Sequence, residues 1–251
     1  MQPNLAYLAT ELPNWLAAGF VFIVLFTVVL LFTAIWQTSL PTAWYALTGM
    51  LGWLLLTGGL AYRGVFLETS ATPPRFVLLV LPPLGLIVTL FSFSRTRQWL
   101  DRLPLTTLTY LHSNRLAVEL LLYGLFTYRQ IPDLMTFEGR NFDILVGLTA
   151  PLVGYLAFHR HSMTNRALLV WNLFGLVLLL NIVINAVLSG PSPFQQFAFD
   201  QPNVGVLRFP FVWLPGFVVP VALFSHLVAI RQLLFRTKQT AHYQPAIRHS
   251  S

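Results

Sequence analysis

The sequence predicts an all-α protein, a polytopic transmembrane bundle of seven helices with its N-terminus outside and its C-terminus in the cytoplasm. Three observations carry this reading. Of 251 residues, 56% are hydrophobic and only 9% charged, where an ordinary soluble domain holds about 25% charged residues. The apolar residues gather into runs of about 20, the length that crosses a hydrocarbon core. No soluble block separates the runs, so residues 1–251 read as one membrane domain.

The spans follow in order. The first, 14–36, is an uninterrupted apolar run, and nothing basic precedes it, so it reads as a retained helix and not as a signal peptide. The second, 42–62, starts after Pro41 and stops at Arg63. The third, 75–94, follows Pro73 and Pro74 and holds a mid-span "LPPLG". The fourth, 110–130, contains charges. The fifth, 142–158, carries Gly147, Ala150, Gly154 and Ala157 on one face, a small-residue stripe that permits close helix approach. The sixth is 167–189. In the seventh, 208–231, Pro215, Gly216 and Pro220 weaken the backbone ladder. Residues 232–251 read as a basic, flexible cytoplasmic tail.

Orientation comes from the bases. Arg95, Arg97, Arg102, Arg160, Arg166, Arg231, Arg236, Lys238 and Arg248 fall on one side. The other side has Arg63, Arg75, Arg129, Arg140 and Arg208. The richer side is cytoplasmic by the positive-inside rule. Trp15, Trp36, Trp44, Trp99, Trp171 and Trp213 lie near span ends, as interfacial aromatics should. The net charge of +7 sits in these short loops, which argues against nucleic acid as a partner. There is no cysteine, so disulfides, thiolate metal sites and cysteine nucleophiles are excluded. The single lysine, Lys238, lies outside the spans, which excludes a retinal Schiff base.

The unusual chemistry is in "LHSNRLAVELLLYGLF". His112, Arg115, Glu119 and Tyr123 are spaced to share one helical face. Glu119 falls near mid-span, with Arg115 about 6 Å and His112 about 10 Å closer to the cytoplasm at 1.5 Å per residue. An ionisable group there needs a partner or a cavity. Arg115 and Glu119, at i and i+4, are suited to pair with each other. A self-neutralised pair that fixes helix register and a ligand, ion or proton site both fit. Asn181 and Asn185, one turn apart on the sixth span, are candidates to orient a ligand, or interhelical glue.

A second constellation is histidine-rich. His112, His226 and one of His159 or His161 approach a common depth on the cytoplasmic side. Three imidazoles and a water would make a catalytic zinc site able to hydrolyse a lipid, although neither HExxH nor a histidine pair at i,i+4 is present. On the outer side, Asn141 and Asp143 suit the start of the fifth span as a cap and a dipole complement. The loop "SGPSPFQQFAFDQPNVGVL" reads equally as a lid over the bundle mouth or as an aromatic segment on headgroups.

The strings "LMTFEGRNFDILVGLTAPL", "LLNIVINAVLS", "PFQQFAFDQPN" and "FPFVWLPGFVVPVALFSHL" resemble an uncharacterised family of bacterial seven-span membrane proteins. The resemblance covers roughly the C-terminal half and extends to "ATPPRFVLLVLPPL" and "HSNRLAVELLLYGLF". It implies no activity, cofactor or catalytic residue.

The residues thus lead to an integral membrane protein with a buried polar site at Arg115, Glu119, Tyr123, Asn181 and Asn185, binding or translocating a small molecule, ion or lipid. That reading needs no cofactor, and its partners are membrane lipids and the unknown ligand. A metal-dependent interfacial lipid hydrolase using His112, His159 and His226 is the alternative, with a structural or partner-binding membrane subunit as a third.

Overall fold

The computed structural model describes residues 2–243, with side chains through residue 235. Helices are the only regular elements among them. This is what a backbone surrounded by hydrocarbon requires, since a helix satisfies its own amides and carbonyls. Helix α1 covers Asn14–Trp36 and α2 Leu40–Tyr62. Helix α3, Val77–Ser92, is followed by the short α4, Ser94–Leu100. Then come α5 (Leu105–Leu111), α6 (Asn114–Thr127), α7 (Ile144–Gly154), α8 (Asn165–Ser189) and α9 (Val219–Tyr243). One π-turn, Tyr155–His159, extends α7, and another, Leu214–Val218, leads into α9.

Four stretches are by themselves long and apolar enough to cross a membrane: Asn14–Trp36, Leu40–Tyr62, Asn165–Ser189 and Leu214–Phe235. The pair α3–α4 makes a fifth if its 98° bend is allowed within one span. The described residues are thus all-α, with several helices compatible with a membrane protein.

The expected spans need revision in their interiors. The fourth is divided at His112–Ser113, where i→i+3 bonds from Arg115 to His112 and from Leu116 to Ser113 replace the α pattern. Ser113 and Asn114 explain the break, since short polar side chains compete with helical hydrogen bonding. Asn114 Nδ2 reaches across to Thr27 Oγ1 (2.6 Å) and the Ile23 carbonyl (3.3 Å) of α1. The third span turns at Phe93, so α4 runs nearly at right angles to α3. The seventh begins later than expected, at Leu214. The basic tail is helical up to Tyr243, and its remainder, 244–251, lies outside the described residues.

The carbonyl freed in the proline-rich stretch Leu214–Phe235 is satisfied as the chemistry demands. Pro220 has no N–H to offer the Gly216 carbonyl, and the Trp53 indole N–H donates to it instead at 2.8 Å. Trp213 returns the arrangement by donating to the Leu54 carbonyl at 3.0 Å.

Each end of the bundle is closed by polar contacts. At one end Arg231 grips Asp101 through two bonds of 2.9 Å, and Gln232 donates to the Leu100 and Leu103 carbonyls. At the other, three segments interlock. Gln130 is fully buried and donates to the Tyr7 carbonyl, while its own carbonyl accepts from the Val204 and Gly205 amides. Gln201 donates to the Ile131 carbonyl, and Arg208 to that of Thr10. The 190–208 loop is thus a lid tied onto the bundle. Phe194 and Phe197 project outward from it, whereas Gln195, Asn203 and Val204 are buried.

Helices α6 and α7 approach unusually closely. A Cβ placed on Gly147 would collide with the Leu116 backbone nitrogen and lie 3.0 Å from Leu116 Cα. The small-residue stripe therefore does what its spacing predicts. Gly147→Ala should destabilise the protein by about 1–3 kcal/mol, the usual cost of overpacking, read as a fall in thermal unfolding temperature in detergent. Gly85→Ala, where a Cβ meets nothing within 4 Å, should leave that temperature unchanged or slightly raised.

Candidate functional site

The buried polar groups of α6 meet a segment that dips into the bundle. Between α6 and α7 the chain does not remain on the outer surface: Ile131, Met135, Thr136, Asn141 and Asp143 are all buried. This descent carries Asn141 and Asp143 to the level of the α6 charges. Because α7 starts at Ile144 and presses Gly147 against α6, Asp143 lies beside Arg115.

The pairing differs from the one the i, i+4 spacing suggests. Arg115 Nη1 donates to Asp143 Oδ1 at 2.8 Å, with both side chains buried, and makes a longer contact of 3.4 Å to the Gly175 carbonyl of α8. Glu119 is held by Asn141, whose Nδ2 lies 2.7 Å from each carboxylate oxygen. Asn141 also donates to the Met135 carbonyl, and its Oδ1 accepts the Asp143 amide at 3.0 Å. A single asparagine therefore fixes both the loop and the glutamate. The buried guanidinium takes its counter-ion from another element and not from its helix neighbour.

Beyond Arg115 lies a second buried group. His112, at the end of α5, stacks on His226 of α9 with centroids 3.9 Å apart and planes 16° from parallel. Trp171 packs edge-on against His112. Asn172 donates through Nδ2 to the Leu168 carbonyl, so its Oδ1 faces His226 Nδ1 at 3.0 Å as an acceptor. That assigns the His226 proton to Nδ1 and leaves the Nε2 lone pair without a protein partner. Both nitrogens of His112, and Nε and Nη2 of Arg115, are likewise buried without a bond. Gly175 makes the room: a Cβ there would sit 2.6 Å from His226 Cε1.

The other expected site residues are placed as follows. Tyr123 stacks on Phe137 of the dipping segment, centroids 5.0 Å apart. Asn181 donates to the Arg140 carbonyl at 2.7 Å and so holds the segment in place from α8, whereas Asn185 turns back to Asn181 within its own helix. His159 is exposed between Tyr110 and Tyr155, apart from the buried His112–His226 stack. Among the described residues no three His, Cys, Asp or Glu side chains gather into a group that could hold a metal.

Glu119 and Asp143 also line a cleft of about 250 Å³, bounded by α3, α6, α8 and the start of α9. Apart from these carboxylates and Asn203 its walls are apolar, with Leu79, Leu122, Ile182 and Leu223 among them. The sequence flagged Arg115 and Glu119 by their depth. Asn141 and Asp143 carried an adequate local explanation as a cap and a dipole complement, and Asn172 lies among apolar residues with no partner in sequence range.

The pairing makes a distinguishing prediction. Asp143→Asn strips Arg115 of its counter-ion and should cost about 3–5 kcal/mol, the penalty of breaking a buried ion pair. Glu119→Gln keeps the Asn141 contact and should cost less than half as much. Denaturation of the two variants in the same detergent checks the order, which reverses if Glu119 is the true partner of Arg115.

No curated protein and no solved structure matches the chain. A family model does, over residues 72–234, from just before α3 into α9. These are the residues that build the cleft, the dipping segment and the histidine stack, and the chain belongs to the family described as a domain of unknown function, DUF8737.

Proposed function

We propose that the protein binds an amphipathic cation, its apolar part in the cleft beside α3 and its charged head against Glu119. The observation that carries this is the position of Glu119 on the wall of an otherwise apolar cleft, with one amide as its hydrogen-bond donor. Arg115 is committed to Asp143. As a carboxylate, Glu119 is thus under-compensated for its burial, and a ligand ammonium supplies the missing charge. Translocation would use the same site, with the lid of residues 190–208 above it.

In this reading the chain crosses a bacterial inner membrane seven times, through α1, α2, α3, α5–α6, α7, α8 and α9, with the N-terminus outside and the C-terminus cytoplasmic. The interlocked segments support it. Gln130 bonds to Tyr7 and Arg208, and Gln201 to Ile131, all on the side assigned outside, and Asp101 and Arg231, both assigned inside, pair.

Octylammonium and octanol are the probes, added to purified protein in detergent while thermal unfolding is followed. A ligand that binds only the folded protein stabilises it by RT ln(1 + [L]/Kd), about 2.7 kcal/mol at 100 times Kd. Octylammonium should raise the unfolding temperature in the wild type and not in Glu119→Gln, and octanol should do so in neither. Equal responses to both probes, or an undiminished response in Glu119→Gln, would overturn the proposal.

A further inference from the structure

A second and larger cleft, of about 750 Å³, lies on the other side of α3, bounded by α1, α2, α4 and the start of α9. Its size is within the range of about 300–1,000 Å³ that accommodates whole ligands. The walls are aliphatic and aromatic along their length, from Leu31 and Ile35 of α1 to Phe217 and Phe224 of the seventh span. Helix α2 offers the cleft Thr42, Ala46 and Gly49, and a Cβ built on Gly49 would meet nothing within 4 Å. The space is therefore real at side-chain scale.

The polarity of this cleft is concentrated at one end. The 98° turn at Phe93 lays α4 across the bundle end, beside Asp101 and the Arg231 that pairs with it. Arg95 and Trp99 are i and i+4 on α4, so they share a face, and both line the cleft. Arg95 is its single charged lining residue, and no carboxylate pairs with it among the described residues. The Trp99 indole N–H is buried and has no acceptor. The contrast with Trp53 in the same wall is informative, since that indole donates to the Gly216 carbonyl. A buried indole N–H almost always finds an acceptor. An unpaired guanidinium and an unsatisfied N–H, one helical turn apart at the mouth of an apolar cleft, ask for an anionic head attached to hydrocarbon.

We propose that this cleft is a site for one anionic phospholipid, its acyl chains between α2 and α3 and its phosphate bridging Arg95 and the Trp99 indole N–H. The site is separate from Glu119 and takes the opposite charge. Helix α3, with Pro82 and Pro83 facing this side, is the wall between the two.

The test is lipid retention on the purified full-length protein, by native mass spectrometry after exchange into detergent with equimolar phosphatidylglycerol and phosphatidylcholine of the same chains. The wild type should retain one phosphatidylglycerol at least tenfold over phosphatidylcholine. Arg95→Gln with Trp99→Phe should abolish that preference, Gly49→Leu should reduce retention of both lipids, and Arg160→Gln, an exposed base outside the cleft, should change nothing. Equal retention of the two lipids by the wild type would overturn the proposal. So would a loss in Arg160→Gln matching that in the double variant, or a lipid-free dimer under the same conditions. If the double variant does not fold, Trp99→Phe alone decides, with a several-fold fall in preference expected and an unchanged preference counting against the site.

Discussion

The burial of a guanidinium within an apolar bundle is the constraint on which the rest of the structure depends. Arg115 sits on a helix of 14 residues, too far from either end of its bundle for its charge to be left to water. Its counter-ion has to arrive from elsewhere. The chain between α6 and α7 therefore descends into the bundle, α7 starts deep, and Gly147 allows the two helices to touch backbone to backbone. Asn141, Asn181 and Gln201 then serve the same end, since each donates to a backbone carbonyl of the descending segment. The Arg115–Asp143 pair is not itself a large net gain, because desolvation offsets most of a buried ion pair. It specifies which segment must be inside.

From that constraint follows a division of labour among the polar groups. Arg115 and Asp143 neutralise each other, Asn141 positions Glu119, and the His112–His226 stack extends the buried polar region toward the end that carries Asp101 and Arg231. Among the described residues Glu119 is the buried carboxylate without an ion-pair partner and with cleft beside it.

Helix α3 has a different character. It makes its packing contacts with α4 and with the proline-rich start of α9, and stands between two clefts without an extended seam along α8. Exposed Leu78, Leu81, Leu86 and Val88 make its outer face suited to lipid. Two prolines remove hydrogen bonds from its ladder. Both proposed ligands would contact it.

The sequence by itself determined the class. Apolar runs of membrane length make it legible, because transfer from water to hydrocarbon is a property of each residue and needs no tertiary information. For the same reason Arg115 and Glu119 stood out, and the stripe from Gly147 to Gly154 announced a close approach. Tertiary structure alone decided the partners. Arg115–Asp143, Glu119–Asn141 and His226–Asn172 join residues 22 to 54 positions apart, and no periodicity links such residues. The physical reason is that i, i+4 spacing establishes only what is adjacent on one helix, whereas a buried charge takes whichever partner reaches it with the better geometry. Here that partner arrives on a segment whose own sequence reads as an ordinary helix start.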